Sequence, residues 1–516
     1  MPWLLKLLSP ILGTPEKERQ RALDRISRST PVEEGGFKFY SLPNEEAEEH
    51  HLFQRPEALQ FFYNGKLYKV TGERASGVFE LFLDLLYVAM IALFSSDVAE
   101  HPDWPHLLKY LVIFFHSYQI WQDLRETFDN YYTDDILQRG IVLSVMIGMA
   151  IFANNAAYIG FGHKRSEVAY LSAVISFQVV HFILIANWFF YSLFIPEHLV
   201  RMRVMGCINI FTFLLRSLLL IPHTSWTFRI IIALLALAIE RGFWVYIYSP
   251  WFQTKEYTEF STAVNIEHES DRMTALYIIV LGEFLNSLIS DASIILGLDI
   301  AAGRAVMVLI IAFSLNWLYV HNDGSVKNTH ALRRSALTAI GWFIIHEPLC
   351  AALVLSGDIA AEFVKYDILE NYNLEWFFCY GLAIGTFSLW IMAQCTLARD
   401  ELVWPKQIRL LFRLIDVIIF ALLPFAKLDT SNTLLVASVL MVITVVWENY
   451  GSLPKDHNIF TDLCYEPNQS SAPLLSSEPH DHSAVEQEVE ALLHANETID
   501  PGTAEQTANK YGSVGH

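Results

Sequence analysis

Glu80 and Asp84 stand one helical turn apart inside GVFELFLDLLYVAMIALFSS, an apolar run from Gly77 to Ser96 long enough to cross a bilayer. Residues four apart share a helix face. Two carboxylates on one face in a low dielectric cannot both ionise cheaply, so they call for a counter-cation, a shared proton or a cavity. That chemistry suits proton or cation handling. The structural alternative is an ion pair with an arginine from another span.

Five other groups carry polar chemistry. His116, Gln119 and Asp123 form one helical stripe that could line a cavity or hydrogen-bond between helices. In FDNYYTDDILQRG, Asp134 and Asp135 are placed to cap a helix, with Arg139 one turn on as a partner for Asp135; an acidic gate is the sharper reading. Glu283 lies inside IIVLGEFLNS, with Asn286 one turn further and Gly282 permitting close helix approach. His346 and Glu347 precede Pro348, where local unwinding could free carbonyls. His346 could be a proton relay, a metal ligand or a satisfied core histidine. Arg413 and Asp416 could neutralise one another at i+3.

These residues need a membrane body to hold them. Hydrophobic residues make up 53% of the chain and charged ones 17%. Twelve apolar segments centre near Tyr87, Phe115, Ile147, Val179, Phe211, Leu235, Leu281, Ile311, Phe343, Ile384, Ile418 and Leu440. The expected fold is an all-α polytopic membrane protein of about 12 transmembrane helices, in two parallel six-helix repeats. The repeats, 77–250 and 273–450, rest on weak echoes: Trp244 with Trp447, Pro222 with Pro424, Trp121 with Trp317, Arg139 with Arg334, and Glu80 with Glu283. Residues 1–76 read as a charged cytosolic arm in which FKFYSLP and FFYNGKLYKV could form strands. Its apolar start, MPWLLKLLSPILG, reads as a membrane-surface segment or as disorder. Residues 451–516 read as a disordered acidic tail.

Loop charge sets the orientation. Arg201, Arg203, Lys255, Arg272, Lys327, Arg333, Arg334, Arg399, Lys406 and Arg409 fall on the side of the N-terminus, an excess over the other side that places both termini in the cytosol. The sequons at Asn468 and Asn496 should then be unglycosylated. The five cysteines show no CxxC or zinc spacing and read as small hydrophobes. No basic cluster suits nucleic acid, and the net charge of -20 resides largely in the soluble ends. No cofactor and no metal is expected.

Several of these blocks resemble the bacterial low temperature requirement A family: ELFLDLLYV at 80–88, FDNYYTDDILQR at 128–139, EHESDRMTALYIIVLGE at 267–283, NWLYV at 316–320, HALRR at 330–334, and His346 with Pro348. The resemblance covers roughly 70–450. Leu83 stands where the family usually has a second Phe, and Asp271-Arg272 where it tends to have Glu-Arg. The arm and the tail depart from the compact bacterial form and are compatible with a eukaryotic, fungal source. The resemblance implies a polytopic membrane protein but no reaction, since the family's name records a growth phenotype.

The leading functional expectation is a secondary transporter coupled to protons or another cation, not an enzyme. Glu80, Asp84, His116, Gln119, Asp123, Glu283, Asn286 and His346 would bind ion or solute, and Asp134, Asp135, Arg139, Asp271 and Arg272 would hold structure or gate. A non-transporting sensor or scaffold is the alternative. A metal-dependent hydrolase using His116, His181 and His346 is a minor one. The expected partners are the lipid bilayer and a small solute or ion, with a sorting adaptor reading the acidic dileucine pattern of Glu488, Leu492 and Leu493. A plasma, vacuolar or other endomembrane location would fit.

Overall fold

The structure, a computed structural model, describes residues 15–34, 37–43, 52–70, 78–131, 133, 135–160, 164–252, 260–290, 297–325, 328–369, 371–399 and 401–455. The apolar N-terminus, Asp134, both sequons and the dileucine pattern lie outside the described residues.

The arm opens with helix α1 (Pro15–Ser27) and continues into β1 (Thr30–Glu34), β2 (Phe37–Leu42), β3 (Gln60–Tyr63) and β4 (Lys66–Val70). Asn64 and Gly65 take φ of 49° and 74°, the left-handed pair that a tight β3–β4 hairpin demands. The fifth strand, β5 (Phe260–Thr262), comes from far along the chain, and the sheet order is β1-β2-β4-β3-β5. Among the described residues, only β2 and β4 pair in parallel. The two expected strand segments are therefore strands. The arm is not a separable unit, however, because its sheet takes in β5 and its buried Leu42, Phe61 and Tyr68 share a core with Trp188 and Tyr191.

Among the described residues, twelve helices of 12 residues or more follow the arm. They are α2 (Val78–Glu100), α3 (Trp104–Tyr131), α4 (Ile136–Ala156), α5 (Lys164–Tyr191), α6 (Leu199–Ser217) and α7 (Trp226–Tyr248), then α8 (Ile266–Ser290), α9 (Ile300–His321), α10 (Ala336–Lys365), α11 (Tyr372–Cys395), α12 (Leu411–Leu422) and α13 (Thr430–Gly451). Each expected apolar segment falls in one of them. Among the described residues, nine are long and apolar enough to cross a membrane: all but α3, α8 and α12.

The three exceptions have physical causes. In α3, every residue from His116 to Tyr131 is buried, so its polar groups meet protein rather than lipid. The first two turns of α8 carry Glu267, His268, Glu269, Asp271 and Arg272. α12 has 12 residues and passes into a 3-10 turn, Leu423–Ala426, at Pro424. Large apolar side chains such as Phe182, Phe211, Phe313 and Val446 remain exposed on the outer faces, as a lipid-facing surface requires.

α10 is the core helix of the second half of the chain. From Leu349 to Val364 it is almost continuously buried, packed by α2, α8 and α11. Pro348 sits inside an unbroken helix, so the expected unwinding is absent. Its missing N–H instead leaves the Ile344 carbonyl without its helical donor. Gly357 permits the closest approach to α8: a Cβ there would lie 2.7 Å from Phe284 Cα.

Candidate functional site

The opening pair of carboxylates is fully buried and ion-paired, although among the described residues Asp84 Oδ2, like Arg272 Nε and Nη1, has no partner in hydrogen-bonding geometry. Glu80 and Asp84 occupy the first two turns of α2, facing the first two turns of α8. Arg272, 0% exposed, places Nε 3.2 Å from Glu80 Oε2 and Nη1 2.7 Å from Asp84 Oδ2. It also donates from Nη2 to Asp84 Oδ1 at 2.8 Å, and Trp121 Nε1 donates to the same oxygen at 2.7 Å. His268 lies between two acids, Nε2 3.1 Å from Glu80 and Nδ1 3.1 Å from Asp129. Both ring nitrogens thus face carboxylates, which suits an imidazolium donating twice.

The acidic pair on α2, at i and i+4, therefore meets a basic pair, His268 and Arg272, at i and i+4 on α8. A second ion pair, Arg125–Glu269, joins α3 to α8, with the Arg125 guanidinium over the Phe343 ring at 4.8 Å. The arrangement is a charge clamp at the helix ends rather than an open cavity. Asp271, beside Arg272, is exposed.

A different group of polar residues runs along α3. His116, Gln119, Asp123 and Glu126 follow one another at three- and four-residue steps and are all buried. Gln119 Nε2 donates to Asp123 Oδ1 at 2.9 Å. His181 of α5, Thr212 and Arg216 of α6, and Glu240 of α7 form a linked group, and Arg216, Glu240 and His181 lie within electrostatic range of His116. Arg216 grips Glu240 with two nitrogens, Nη1 at 2.6 Å from Oε1, and His181 Nε2 lies 3.5 Å from the same carboxylate.

Further along, Arg241 of α7 bridges Gln122 and Glu347, the latter at 2.8 Å. Glu126 accepts from Trp244 Nε1 at 3.1 Å and from Tyr248, and pairs with Arg201. Among the described residues, His116 Nε2, Gln119 Oε1 and Asp123 Oδ2 are buried without a hydrogen-bond partner. A buried polar atom left unpaired is costly, and a site that holds several next to a cavity is one where a ligand or water belongs. A cavity of about 130 Å³ lies against the His116 end of the run, with Lys109, Phe177, Gln178, Arg216 and Trp226 also in its wall; Gln119 and Asp123 do not line it.

The remaining expectations divide. Asp135 caps α4 as expected, accepting from Gln138 N at 2.8 Å; its other oxygen takes Gln54 N at 3.1 Å, and Arg139 lies over the Phe79 ring at 4.8 Å. Glu283 is half-buried in the second half of α8, 3.2 Å from the amide nitrogen of the exposed Asn286. It therefore does not occupy the position of Glu80, which stands in a first turn. His346 is fully buried, its Nδ1 donating to the Trp342 carbonyl at 2.7 Å and its Nε2 3.2 Å from the Tyr319 hydroxyl. That is the satisfied core histidine. Arg413 pairs with Glu448, not Asp416; Asp416 accepts from Thr444 at 2.6 Å. Among the described residues, His116, His181 and His346 do not gather into a ligand cluster.

Sequence reasoning missed His268, Arg125 and Asp358. Asp358, on α10, accepts from Ser95 and Ser96 of α2. The available signal for His268 was its i,i+4 spacing to Arg272, the basic mirror of the acidic spacing on α2. Outside the helical spans, the turn before α6 buries Glu197 and His198. Burial pushes the Glu197 carboxyl up to about 7 and the His198 imidazole down to about 3, and Tyr131 Oη lies 2.7 Å from His198 Nδ1.

Repeated apolar helices, with their ionised groups paired inside the bundle, define a multi-pass helical membrane protein. The family described as bacterial low temperature requirement A protein (LtrA) matches residues 75–447, and the chain belongs to it. No curated protein and no solved structure matches the chain.

Proposed function

We propose that this protein is an ion-coupled secondary transporter whose path follows the polar face of α3 within the first six helices. The observation that carries the reading is the run His116, Gln119, Asp123, Glu126, with three unpaired buried polar atoms and a cavity at its His116 end. Asp123 and Glu240 would hold the coupling cation, and Arg216 would tune them by its grip on Glu240. Glu80 and Asp84 serve as a lock between α2 and α8 in this account, a change from the role their spacing suggested.

A twelve-span, two-repeat body is part of the same proposal. Neighbouring packing in α2–α7 recurs in α8–α13: α2 with α4 and α8 with α10; α4 with α5 and α10 with α11; α5 with α6 and α11 with α12; α3 with α7 and α9 with α13. The ion pair Arg216–Glu240 between α6 and α7 has its counterpart in Arg413–Glu448 between α12 and α13. Both termini are cytosolic in this proposal.

The test is flux. Purified protein in liposomes holding a pH-sensitive dye is given a potassium diffusion potential and a panel of small solutes. Solute-dependent proton or cation entry above that of empty liposomes supports the reading; none with any solute removes it.

The scaffold reading has its own support, because Arg272, Arg216, Arg413, Arg125 and Arg241 each hold a buried or nearly buried acid. It predicts no flux and no effect of Asp123→Asn on the cellular phenotype.

A further inference from the structure

We propose that Asp97, His101 and His106 form a binding site for a divalent transition cation of the zinc class at the turn between α2 and α3. One ligand atom from each lies within 4.8 Å of the others. A carboxylate and two imidazoles are a donor set for zinc-class metals, with the remaining position open to water.

The local fold explains the gathering. His101 N donates to Asp97 O at 3.1 Å, so the last turn of α2 continues through His101 and sets the two side chains at i and i+4 on one face. His106 comes from the first turn of α3, across a bend whose Asp103 N donates to His101 O at 2.8 Å. The two imidazole rings lie nearly parallel, centroids 5.2 Å apart.

Asp103 fixes the third ligand. Its Oδ1 accepts from the His106 backbone at 2.8 Å and lies 2.6 Å from His106 Nδ1. A carboxylate on Nδ1 fixes the tautomer and makes Nε2 the basic ring nitrogen, the usual outer support of a metal-bound histidine.

Lys109 is a built-in competitor. Its Nζ lies 2.6 Å from Asp97 Oδ2 and also donates to the carbonyl oxygens of Ile159 and Ala157, at 2.8 and 3.4 Å. It has somewhere else to bind when a metal takes the carboxylate. Lys109 and Pro105 line the cavity on α3, so metal occupancy would reset one wall of that cavity. The site stands independently of the transport reading.

The experiment uses full-length protein in lipid nanodiscs, stripped with a chelator, dialysed against Zn²⁺ or Mg²⁺ and assayed by mass spectrometry of metals. The expected result is about one Zn²⁺ per chain and no Mg²⁺, as an N₂O donor set dictates. The stoichiometry falls by that one ion in H101N/H106N. Asp103→Asn weakens binding by about 10–100-fold, and Lys109→Met tightens it. Equal zinc in wild type and H101N/H106N, or none in wild type, overturns the proposal. Should the double variant fail to fold, the Co²⁺-loaded wild type decides: visible d–d bands altered in Asp97→Asn support the site, and bands unchanged in that variant refute it.

Discussion

Arg272→Met is the substitution with the most to say about this fold. Arg272 is 0% exposed and contacts two carboxylates that are themselves no more than 1% exposed, at 2.7 to 3.2 Å. Removing one member of a buried ion pair leaves an uncompensated charge and costs about 3–5 kcal/mol. Here two acids lose their cation, and His268 must serve Glu80 and Asp129 with no help from Arg272. A unit this large shifts its melting temperature by roughly 1–2 °C per kcal/mol, so a fall of about 5 °C is expected. The triple variant E80Q/D84N/R272M removes all three charges with little change of shape and should recover most of the loss, because a neutral, similarly shaped replacement of a buried pair is often nearly isoenergetic. Thermal unfolding of the four proteins, wild type, R272M, E80Q/D84N and the triple, forms a cycle that isolates the coupling. Arg272→Met as stable as wild type, or the triple no better than R272M, would refute the clamp.

Other consequences are equally specific. Gly357→Ala places a Cβ 2.7 Å from Phe284 Cα, a backbone atom, so α8 and α10 must part and stability should drop by about 1–3 kcal/mol; Gly303→Ala, which meets nothing within 4 Å, should not lower the melting temperature. Glu197 has its folded pKa raised from 4.5 to about 7 by burial, so its contribution is fully present below pH 4.5 and is lost as pH rises through 7. The loss is about 3 kcal/mol, and the melting temperature of Glu197→Gln minus that of wild type should grow over that interval; a flat difference contradicts it. Arg413→Met should destabilise more than Asp416→Asn, since Arg413 also donates to the Leu389, Leu318 and Asn322 carbonyls; paired melting curves decide this.

Much of the body was legible because bilayer-length apolar runs encode helices directly: all twelve segment centres lie in helices, and the two arm segments read as strands fall in β2, β3 and β4. What the spacing of Glu80 and Asp84 could not reveal was the partner. A buried carboxylate looks the same in sequence whether it faces water or Arg272, and Arg272 lies 188 residues away from Asp84. The stripe His116, Gln119, Asp123 was visible from its period alone, but Glu240, Arg216 and His181, which complete it, come from three other helices. Pro348 misled because tertiary packing of a 30-residue helix overrides one lost hydrogen bond. The β5 strand was invisible because three residues, FST, carry no pattern of their own.

The allocation of roles between the two polar clusters is open to one direct comparison. Proteoliposomes containing E80Q/D84N/R272M and proteoliposomes containing Asp123→Asn are measured side by side with wild type for potential-driven proton or cation flux. The account predicts that the triple variant, with its lock neutralised but its shape kept, retains flux, whereas Asp123→Asn loses it. Flux that survives Asp123→Asn and vanishes in the triple variant would contradict it and return the chemistry to Glu80 and Asp84.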